Sequence, residues 1–548
     1  MYVEILYRNA KMMSYENGII KTNDIPYNQN SGGIGYMFYT ALKEYGDRVA
    51  LINSKNDEFR TNKDLLERCT STAVALQKRG FKQQDLVAVC SNRENLDANV
   101  PLIAGQFLGC VTFSLDPNLT VKELCELVNQ IQPKIIFLID EAKNKMQEAL
   151  KICDVEVEMV TFGKEFESEF LKFDKIQDFE PVFIENLKET CMIHFSSGST
   201  SCPKPICLNH YYFMTFAVSL PNPKAEPCQA KFENHEVGNI SLKFMNWYWI
   251  SASLEMFHLI WTGNCRLLKD EFDVDQIWDM VAKYKISDIY LKPVDIIAII
   301  DSKPNVDISS LKTIYSGGSP FHKDYIEKLK ANFPDIEVLL TIYAMTECGV
   351  ITYPYKKEFL NSKPVSCGLP WYGLHYKVVD VETGKICGFN QPGELYVKGK
   401  RIFNGIYNQD SSESFDDEGY FKTGDLVYYD EDFCFFVVDR LKAVLKWNNI
   451  VIYPSRIEKV LLSHPAVSEA IVIGIPHKTE IERLLAAVIL KDNVKVIEDD
   501  LVKFVAERVE DCERLRGGVV FVKYFPVTIT GKVSRLKVKE MILDKLNK

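Results

Sequence analysis

Four short segments of this chain carry residue types suited to handling phosphate and carboxylate groups. In Phe195-Ser196-Ser197-Gly198-Ser199-Thr200-Ser201-Cys202-Pro203-Lys204, small residues follow the apolar run Thr190–Phe195. A small-residue turn after a strand exposes consecutive backbone N–H groups, which can wrap phosphate oxygens. The hydroxyls of Ser196, Ser199 and Thr200 add donors, and Lys204 adds a point charge. The segment is not a Walker loop, because G-x-x-x-x-G-K-[ST] is absent. By itself it is explained equally well as a flexible Ser/Gly linker.

Tyr343-Ala344-Met345-Thr346-Glu347 stands directly after the apolar run Asp335–Ile342. Ligands of open α/β sheets sit at that edge, and a carboxylate there suits Mg²⁺ shared with phosphates. In Tyr420-Phe421-Lys422-Thr423-Gly424-Asp425, an Asp after a tight turn can accept bonds from sugar hydroxyls. Pro526-Val527-Thr528-Ile529-Thr530-Gly531-Lys532 puts a lysine on a loop near the C-terminus. Taken singly, these are also a solvated Glu, a turn Asp and a surface lysine. Gly32-Gly33-Ile34-Gly35 has no strand before it and reads as a loop.

The elements that must position these segments follow an alternating pattern. Leu86–Ser91, Cys110–Leu115, Lys134–Asp140 and Val155–Phe162 read as buried strands, with Val121–Gln130 and Glu141–Lys151 at helical spacing between them. Gln276–Tyr284 reads as a helix, and Ser287–Leu291, Leu311–Tyr315 and Asp335–Ile342 as strands. Such alternation means mostly parallel sheets covered by helices. Past about residue 440 the texture changes to a smaller α+β set: helix Arg456–Ser463, strands Ala470–Ile475 and Ala486–Leu490, a helical stripe through Ile497, Leu501 and Phe504, then Val519–Val522. The fold class is α/β, with a large domain over 1–438 and a small α+β domain over 439–548. The break falls at Asp439-Arg440-Leu441-Lys442.

With 548 residues, the chain is long enough for at least two domains. Its 47% hydrophobic and 26% charged residues are those of an ordinary globular protein. A net charge of −10 without a long basic run argues against a nucleic-acid or anionic-membrane binder. The 15 cysteines are scattered singly, with no C-x-x-C pair to suggest zinc or a thioredoxin-type centre. No signal peptide is recognisable at the N-terminus, so an intracellular setting is expected, cytoplasmic by default. Val100–Leu115 is too interrupted for a membrane span.

Together, in this order and at these separations, the segments resemble the adenylate-forming superfamily of acyl- and aryl-CoA synthetases, insect luciferases and peptide-synthetase adenylation domains. The resemblance runs from about Gly35 to Lys539 and includes Ser316-Gly317-Gly318-Ser319-Pro320, Gly393-Glu394-Leu395 and Val438-Asp439-Arg440-Leu441-Lys442. Leu461-Leu462-Ser463-His464-Pro465 and Leu515-Arg516-Gly517-Gly518-Val519-Val520-Phe521-Val522 place it closest to the beetle-luciferase and 4-coumarate–CoA-ligase-like branch.

The resemblance implies that a carboxylate attacks the α-phosphate of ATP, giving an acyl-adenylate and pyrophosphate, by positioning and charge neutralisation. It assigns the phosphates to Ser196, Ser197, Gly198, Ser199, Thr200 and Lys204, with Thr346 a further contact. Glu347 would hold Mg²⁺, with Thr200 beside it, and Asp425 and Arg440 the ribose. Ser316, Gly317, Gly318 and Ser319 would flank adenine and the acyl group, near Tyr343. Lys532 would bridge the reacting carboxylate and α-phosphate. After a hinge motion at Asp439, Lys446 would serve transfer of the acyl group to CoA. Relatives are often peroxisomal, but Leu546-Asn547-Lys548 is not an S-K-L address.

Several residues depart from the family pattern. Ser201 and Pro205 stand where Gly is usual, Ala344 replaces Gly after Tyr343, and Asn448-Asn449 replaces Lys-Gly. Tyr248-Trp249 occupies the place of a His pair or single His beside the acyl pocket. Efficient light emission with beetle luciferin is therefore not expected. The leading reading is an ATP-dependent acid–thiol ligase for a fatty acid or aryl-propenoic acid. The competing readings are a luciferase-like monooxygenase and a catalytically weak acyl- or nucleotide-binding pseudoenzyme.

Overall fold

The computed structural model describes residues 13–24, 32–172, 178–196, 203–219, 231–317, 321, 323–354, 357–448, 450–491, 494–527 and 533–546. The chain divides into two compact units: Met1–Tyr376 with Val397–Phe421, and Lys377–Tyr396 with Lys422–Lys548. No helix among the described residues is long and apolar enough to cross a membrane.

The first unit holds two large sheets. One has six strands, five of them parallel, and the run Leu86–Cys90, Val111–Leu115, Ile135–Leu138 and Glu158–Thr161 forms its middle and one edge. These are the strands that the alternation predicts, shortened by one to three residues at their ends. Thr190–Ser196 joins Val111–Leu115 in parallel and then turns back as Lys204–Asn209. The other sheet has nine strands, with a parallel centre of Ile240–Lys243, Cys265–Leu268, Asp288–Tyr290, Thr313–Gly317 and Glu337–Met345.

Period-two alternation divides the centre of that second sheet by chemistry. Leu242, Phe244, Ile289 and Ile314 point into one apolar core with Val281, Ile296 and Leu329. Ser241, Lys243, Asp288, Tyr290 and Tyr315 take the opposite face, in shared register rows. The Ile250–Thr262 helix packs there and brings Glu255 against Lys243.

The Gly32–Gly35 cluster corrects the sequence reading. It is not a loop but the entry of the Gly33–Tyr45 helix, with Gly32 at φ +69 as its N-cap. A β-carbon on Gly35 would run into the carbonyl oxygen of Gln106, so the glycine lets this helix approach the Val100–Phe107 helix. The Ile34 N–H, one of the free donors of the first turn, bonds to His210 Nδ1 at 3.2 Å.

In the second unit, the long antiparallel pair Val467–His477 and Ile481–Leu490 carries the smaller sheet, with Gly518–Phe521 parallel beside it. One face buries Val472, Leu484 and Ala486 with Leu461 and Leu501 of the Pro454–Leu462 and Glu498–Ala506 helices. The other face takes Val538 and Ile542 of the Arg535–Leu546 helix. This is the α+β set that the sequence predicts. Phe421–Tyr429 and Phe435–Arg440 pair antiparallel at one end of a further, six-stranded sheet.

Candidate active site

Ser196 and Lys204 face each other as the last described pair of an antiparallel hairpin. Ser197, Gly198, Ser199, Thr200 and Ser201 lie outside the described residues, as do Gly318, Ser319 and Lys532. Pro205 belongs to the strand, opposite Phe195, not to the loop. Its carbonyl accepts from Tyr407 N at 2.8 Å, and Cys207 N donates to Gly405 O at 2.9 Å. These bonds place the 205 and 207 main-chain groups toward the 404–407 segment. The missing proline N–H therefore subtracts nothing from the ladder with Thr190–Ser196.

Tyr343, Ala344 and Met345 are the last residues of a strand rather than the loop after it, and they turn antiparallel against Gly349–Thr352. Thr346, Glu347 and Cys348 form the three-residue tip, closed by Gly349 at φ +72. Thr346 and Glu347 are partly exposed, and Ala344 is exposed. Gly317 lies in register with Ile342, which sets Ser316 and Gly317 beside Tyr343. A β-carbon on Gly317 would stand 2.9 Å from the Ile342 carbonyl oxygen, so the residue type follows from the close approach.

One segment that the sequence reading passed over ties the two hairpins together. Phe403 N donates to Glu347 O at 2.9 Å, and Asn404 N donates to Cys207 O at 2.8 Å. Arg401, only 3% exposed, spreads its guanidinium over the carbonyls of Cys348, Val350 and Tyr372. Asn209 Nδ2 binds the carbonyl of Ile402 at 3.0 Å and Asn404 Oδ1 at 3.1 Å. A lone Arg and two Asn between apolar residues are the only signal of this clasp in the sequence.

Tyr248 and Trp249 lie where the C-terminal edges of both sheets meet. The Tyr248 hydroxyl takes a hydrogen bond from Asn246, which also accepts from Arg93 Nε, and Arg93 reaches the Asp270 main chain. Burial and then the nearby Asp116 carboxylate push the Tyr248 hydroxyl well above its ordinary range. His194, from the Thr190–Ser196 strand, bonds the Tyr248 main chain, and burial holds its imidazole down at about 4. Lys292 stacks its ammonium 5.2 Å from the Trp249 ring.

Behind them is a buried layer of charge. Lys243 Nζ stands 3.2 Å from Glu255 Oε1 and 3.6 Å from Asp288 Oδ1, while Arg266 is 3.8 Å from the other Glu255 oxygen. Glu255 is 3% exposed and Arg266 2%. Ser241 Oγ donates to Asp288 Oδ2 at 2.6 Å. Burial works against the Lys243 charge, but Glu255 and Asp288 more than offset it and raise its pKa. Burial, helped by Lys243, lowers His258 to about 4. Single charges inside the apolar runs Ile240–Phe244, Ile250–Thr262 and Cys265–Leu268 mark these residues in the sequence.

In the second unit, Asp425 sits inside the Phe421–Tyr429 strand, not after a turn, and pairs in register with Arg440. Arg440 Nε is 2.7 Å from Asp425 Oδ1. Lys446 lies on the short strand Leu445–Trp447 with its side chain exposed, and its N–H bonds Glu482 Oε2 at 3.0 Å. Asn448 takes the left-handed conformation at φ +46, which Asn tolerates. No group of three or more His, Cys, Asp or Glu able to hold a metal occurs among the described residues. The single carboxylate of Glu347 fits Mg²⁺ only as an ion carried mainly by phosphates.

The family model for AMP-binding enzyme matches residues 38–407, and that for the AMP-binding enzyme C-terminal domain matches 456–532. The probable 4-coumarate–CoA ligase 2 of Dictyostelium discoideum is 26% identical, over 97% of this chain and 98% of its own length. The luciferin 4-monooxygenase of Photuris pensylvanica is 29% identical, covering 93% and 95%. Among solved structures, the luciferase-like enzyme from the nonluminescent mealworm Zophobas morio is 30% identical, with a TM-score of 0.70, over 77% of this chain and 99% of that one.

Proposed function

Because the chain belongs to the adenylate-forming family of AMP-binding enzymes, we propose that it activates a carboxylic acid with ATP and passes the acyl group to CoA. The observation that carries this reading is the clasped pair of hairpins. Ser196 and Lys204 close one tip and Thr346 and Glu347 form the other, both tied to the 401–407 segment. A strand-end hairpin rich in small residues offers backbone donors to phosphates, and a carboxylate on the neighbouring tip suits their magnesium ion.

In this reading the acid's oxygen attacks the α-phosphorus of ATP, the bond to the pyrophosphate oxygen breaks, and pyrophosphate leaves with that electron pair. Lys532 neutralises the two anions as they approach. Ser196, Ser197, Gly198, Ser199, Thr200 and Lys204 hold the phosphates, and Asp425 and Arg440 hold the ribose. Mg²⁺ at Glu347 supplies charge neutralisation on the phosphates. The CoA thiol then attacks the acyl carbon, its proton goes to solvent, and AMP leaves. Residues 439–548 move about Asp439 between the two steps to present Lys446.

The acid is a fatty or aryl-propenoic one, in keeping with relatives named 4-coumarate–CoA ligases. Two large aromatics, Tyr248 and Trp249, in place of histidine at the acyl site weigh against the monooxygenase reading. Pro205, seated in a strand, gives no support to a lost phosphate loop.

The test is pyrophosphate release from ATP and Mg²⁺ over a panel of acids, with and without CoA, beside Lys532→Ala. Acid-dependent release that the variant abolishes, with thioester formed only in the presence of CoA, is the expected result. ATP binding without release from any acid would identify a binding protein instead.

A further inference from the structure

Lys446, the lysine proposed for acyl transfer, has an exposed side chain, and among the described residues no hydrogen bond or ion pair ties down its ammonium. An untethered ammonium is aimed by its main chain, so whatever fixes residue 446 fixes where that charge can reach. The strand that carries it, Leu445–Trp447, has only three residues. On one side it pairs with Ile450–Ile452; on the other, Trp447 alone of the described residues pairs with Ile481.

Side chains supply the rest of that second side. Lys446 N donates to Glu482 Oε2 at 3.0 Å, where a full ladder would offer a carbonyl. Trp447 Nε1 donates to Glu480 Oε2 at 3.1 Å, and Asn448 N donates to the Glu480 carbonyl at 3.1 Å. Both glutamates are themselves held. Glu480 takes Nε and Nη2 of Arg483 at 3.0 Å each, and Glu482 Oε1 lies 3.5 Å from Lys539 Nζ. The Glu482 carboxyl fills the space over Gly474, where a β-carbon would stand 2.5 Å from its Cδ. Between the two glutamates Ile481 takes φ +65, a conformation costly for a β-branched residue, which persists only where its surroundings impose it.

We propose that Glu480 and Glu482 are positioning residues for acyl transfer. They fix the main chain of residues 446–448 and so aim the Lys446 ammonium. In that step the CoA sulfur bonds to the acyl carbon, the thiol proton passes to solvent and AMP leaves with the electron pair of the broken bond. The inference rests on the ligase reading, with Lys446 as its second lysine, and adds two residues that touch no substrate. Misplacing a catalytic group by about 1 Å is enough to slow a step substantially. Adenylation, assigned to Lys532, does not use this strand, so loss of either glutamate should divide the two half-reactions.

The experiment uses the full chain with ATP, Mg²⁺ and whichever of 4-coumarate, hexanoate and dodecanoate releases pyrophosphate fastest. Pyrophosphate release in a single turnover without CoA reads the first step. Thioester formed when CoA is mixed with enzyme carrying the acyl-adenylate reads the second. Glu482→Ala, and Trp447→Phe, which removes the donor to Glu480 and keeps a ring beneath Arg516, should each slow thioester formation several-fold and leave pyrophosphate release unchanged. Glu482→Gln keeps an oxygen for the Lys446 N–H and should recover most of the rate. Gly474→Ala pushes the Glu482 carboxyl aside at a backbone conformation that alanine adopts freely, and should reproduce the defect even if Glu482→Ala does not fold.

Equal loss of both steps in the folded variants marks a structural role only and overturns the inference. Thioester formation at the wild-type rate in Glu482→Ala or in Trp447→Phe removes the glutamate that the variant tests and leaves the ligase reading standing. Transfer at the wild-type rate in Lys446→Ala overturns the role of that lysine and this inference with it. No pyrophosphate release from any of the three acids overturns the reading as a ligase of fatty or aryl-propenoic acids, and the inference falls with that reading.

Discussion

Asp425 and Arg440, the two residues assigned to the ribose, hold each other across the ladder between Phe421–Tyr429 and Phe435–Arg440, with Oδ1 to Nε at 2.7 Å. The pair is asymmetric: the Asp425 side chain is 4% exposed and that of Arg440 59%. An exposed guanidinium therefore orients a buried carboxylate and stays accessible itself. Arg440→Ala should cost no more than about 1 kcal/mol of stability, because ion pairs with an exposed partner contribute little. Its apparent affinity for ATP should nevertheless fall several-fold. Asp425→Ala should raise the KM for ATP at least tenfold. Titration calorimetry with ATP beside urea denaturation separates the two quantities, and unchanged ATP affinity in both variants would remove the ribose assignment.

In the proposed reaction Lys446 serves the second half alone. Its side chain is exposed and its local structure is held by the main-chain bond to Glu482, so Lys446→Ala should leave stability unchanged within about 0.5 kcal/mol. Pyrophosphate release in a single turnover without CoA should persist, while thioester formation falls at least tenfold. Lys532→Ala should show the reverse order, losing release first. Loss of both steps in Lys446→Ala would end the division of labour between the two lysines.

The regular elements were legible because each keeps one period over its own length. Arg456–Ser463 appears as Pro454–Leu462, and the helix read through Ile497, Leu501 and Phe504 as Glu498–Ala506, although its buried stripe is Leu501 and Val505 and Ile497 is an exposed N-cap. The site segments were legible as types and order, but not as geometry: Tyr343 was read as following its strand and Asp425 as following a tight turn, and both lie inside strands. Gly32–Gly35 was misread because nothing in the local sequence reports the Gln106 carbonyl that Gly35 must clear. The clasp at 401–407 was invisible for a similar reason. Its bonds run to Cys207, Glu347 and Cys348, tens to hundreds of residues away, and no period records them. Lys243, Glu255 and Arg266 could have been flagged, as lone charges in apolar runs that require one another.

Three buried imidazoles make stability fall on the acid side of neutrality. Burial is the leading cause that lowers His194, His210 and His258 from 6.5 to about 4. Above pH 6.5 these groups are neutral in both the folded and unfolded chains and cost nothing. Between pH 6.5 and 4 the unfolded chain takes up protons that the folded chain refuses, so stability declines as pH falls through that window. Each imidazole contributes about 1.4 kcal/mol per pH unit there. His210 has a specific reason to stay neutral, since its Nδ1 accepts the Ile34 N–H. The urea midpoint should drop steadily from pH 7 to pH 5, and less steeply in His210→Asn. A midpoint constant over that range contradicts the burial of these groups.

Arg401 acts on the Glu347 tip without being placed to touch a substrate, which makes it a positioning residue. Its guanidinium satisfies the carbonyls of Cys348 and Val350 on the hairpin and of Tyr372 beside it, at 3% exposure. Burial depresses its pKa, the mark of a charge kept in a dry place by its bonds. Arg401→Met fills similar length but strands those carbonyls, at about 1–3 kcal/mol for each one left unmade. The tip should loosen before the sheet unfolds, because Glu347 is also held by the Phe403 N–H at 2.9 Å. At a temperature where the variant is fully folded, its Mg²⁺ requirement for pyrophosphate release should shift to several-fold higher concentration, with the KM for the acid unchanged. Arg401→Lys retains the charge but cannot span the three carbonyls, and should recover little of the loss. A variant that is less stable yet keeps the wild-type Mg²⁺ profile would confine Arg401 to holding the fold.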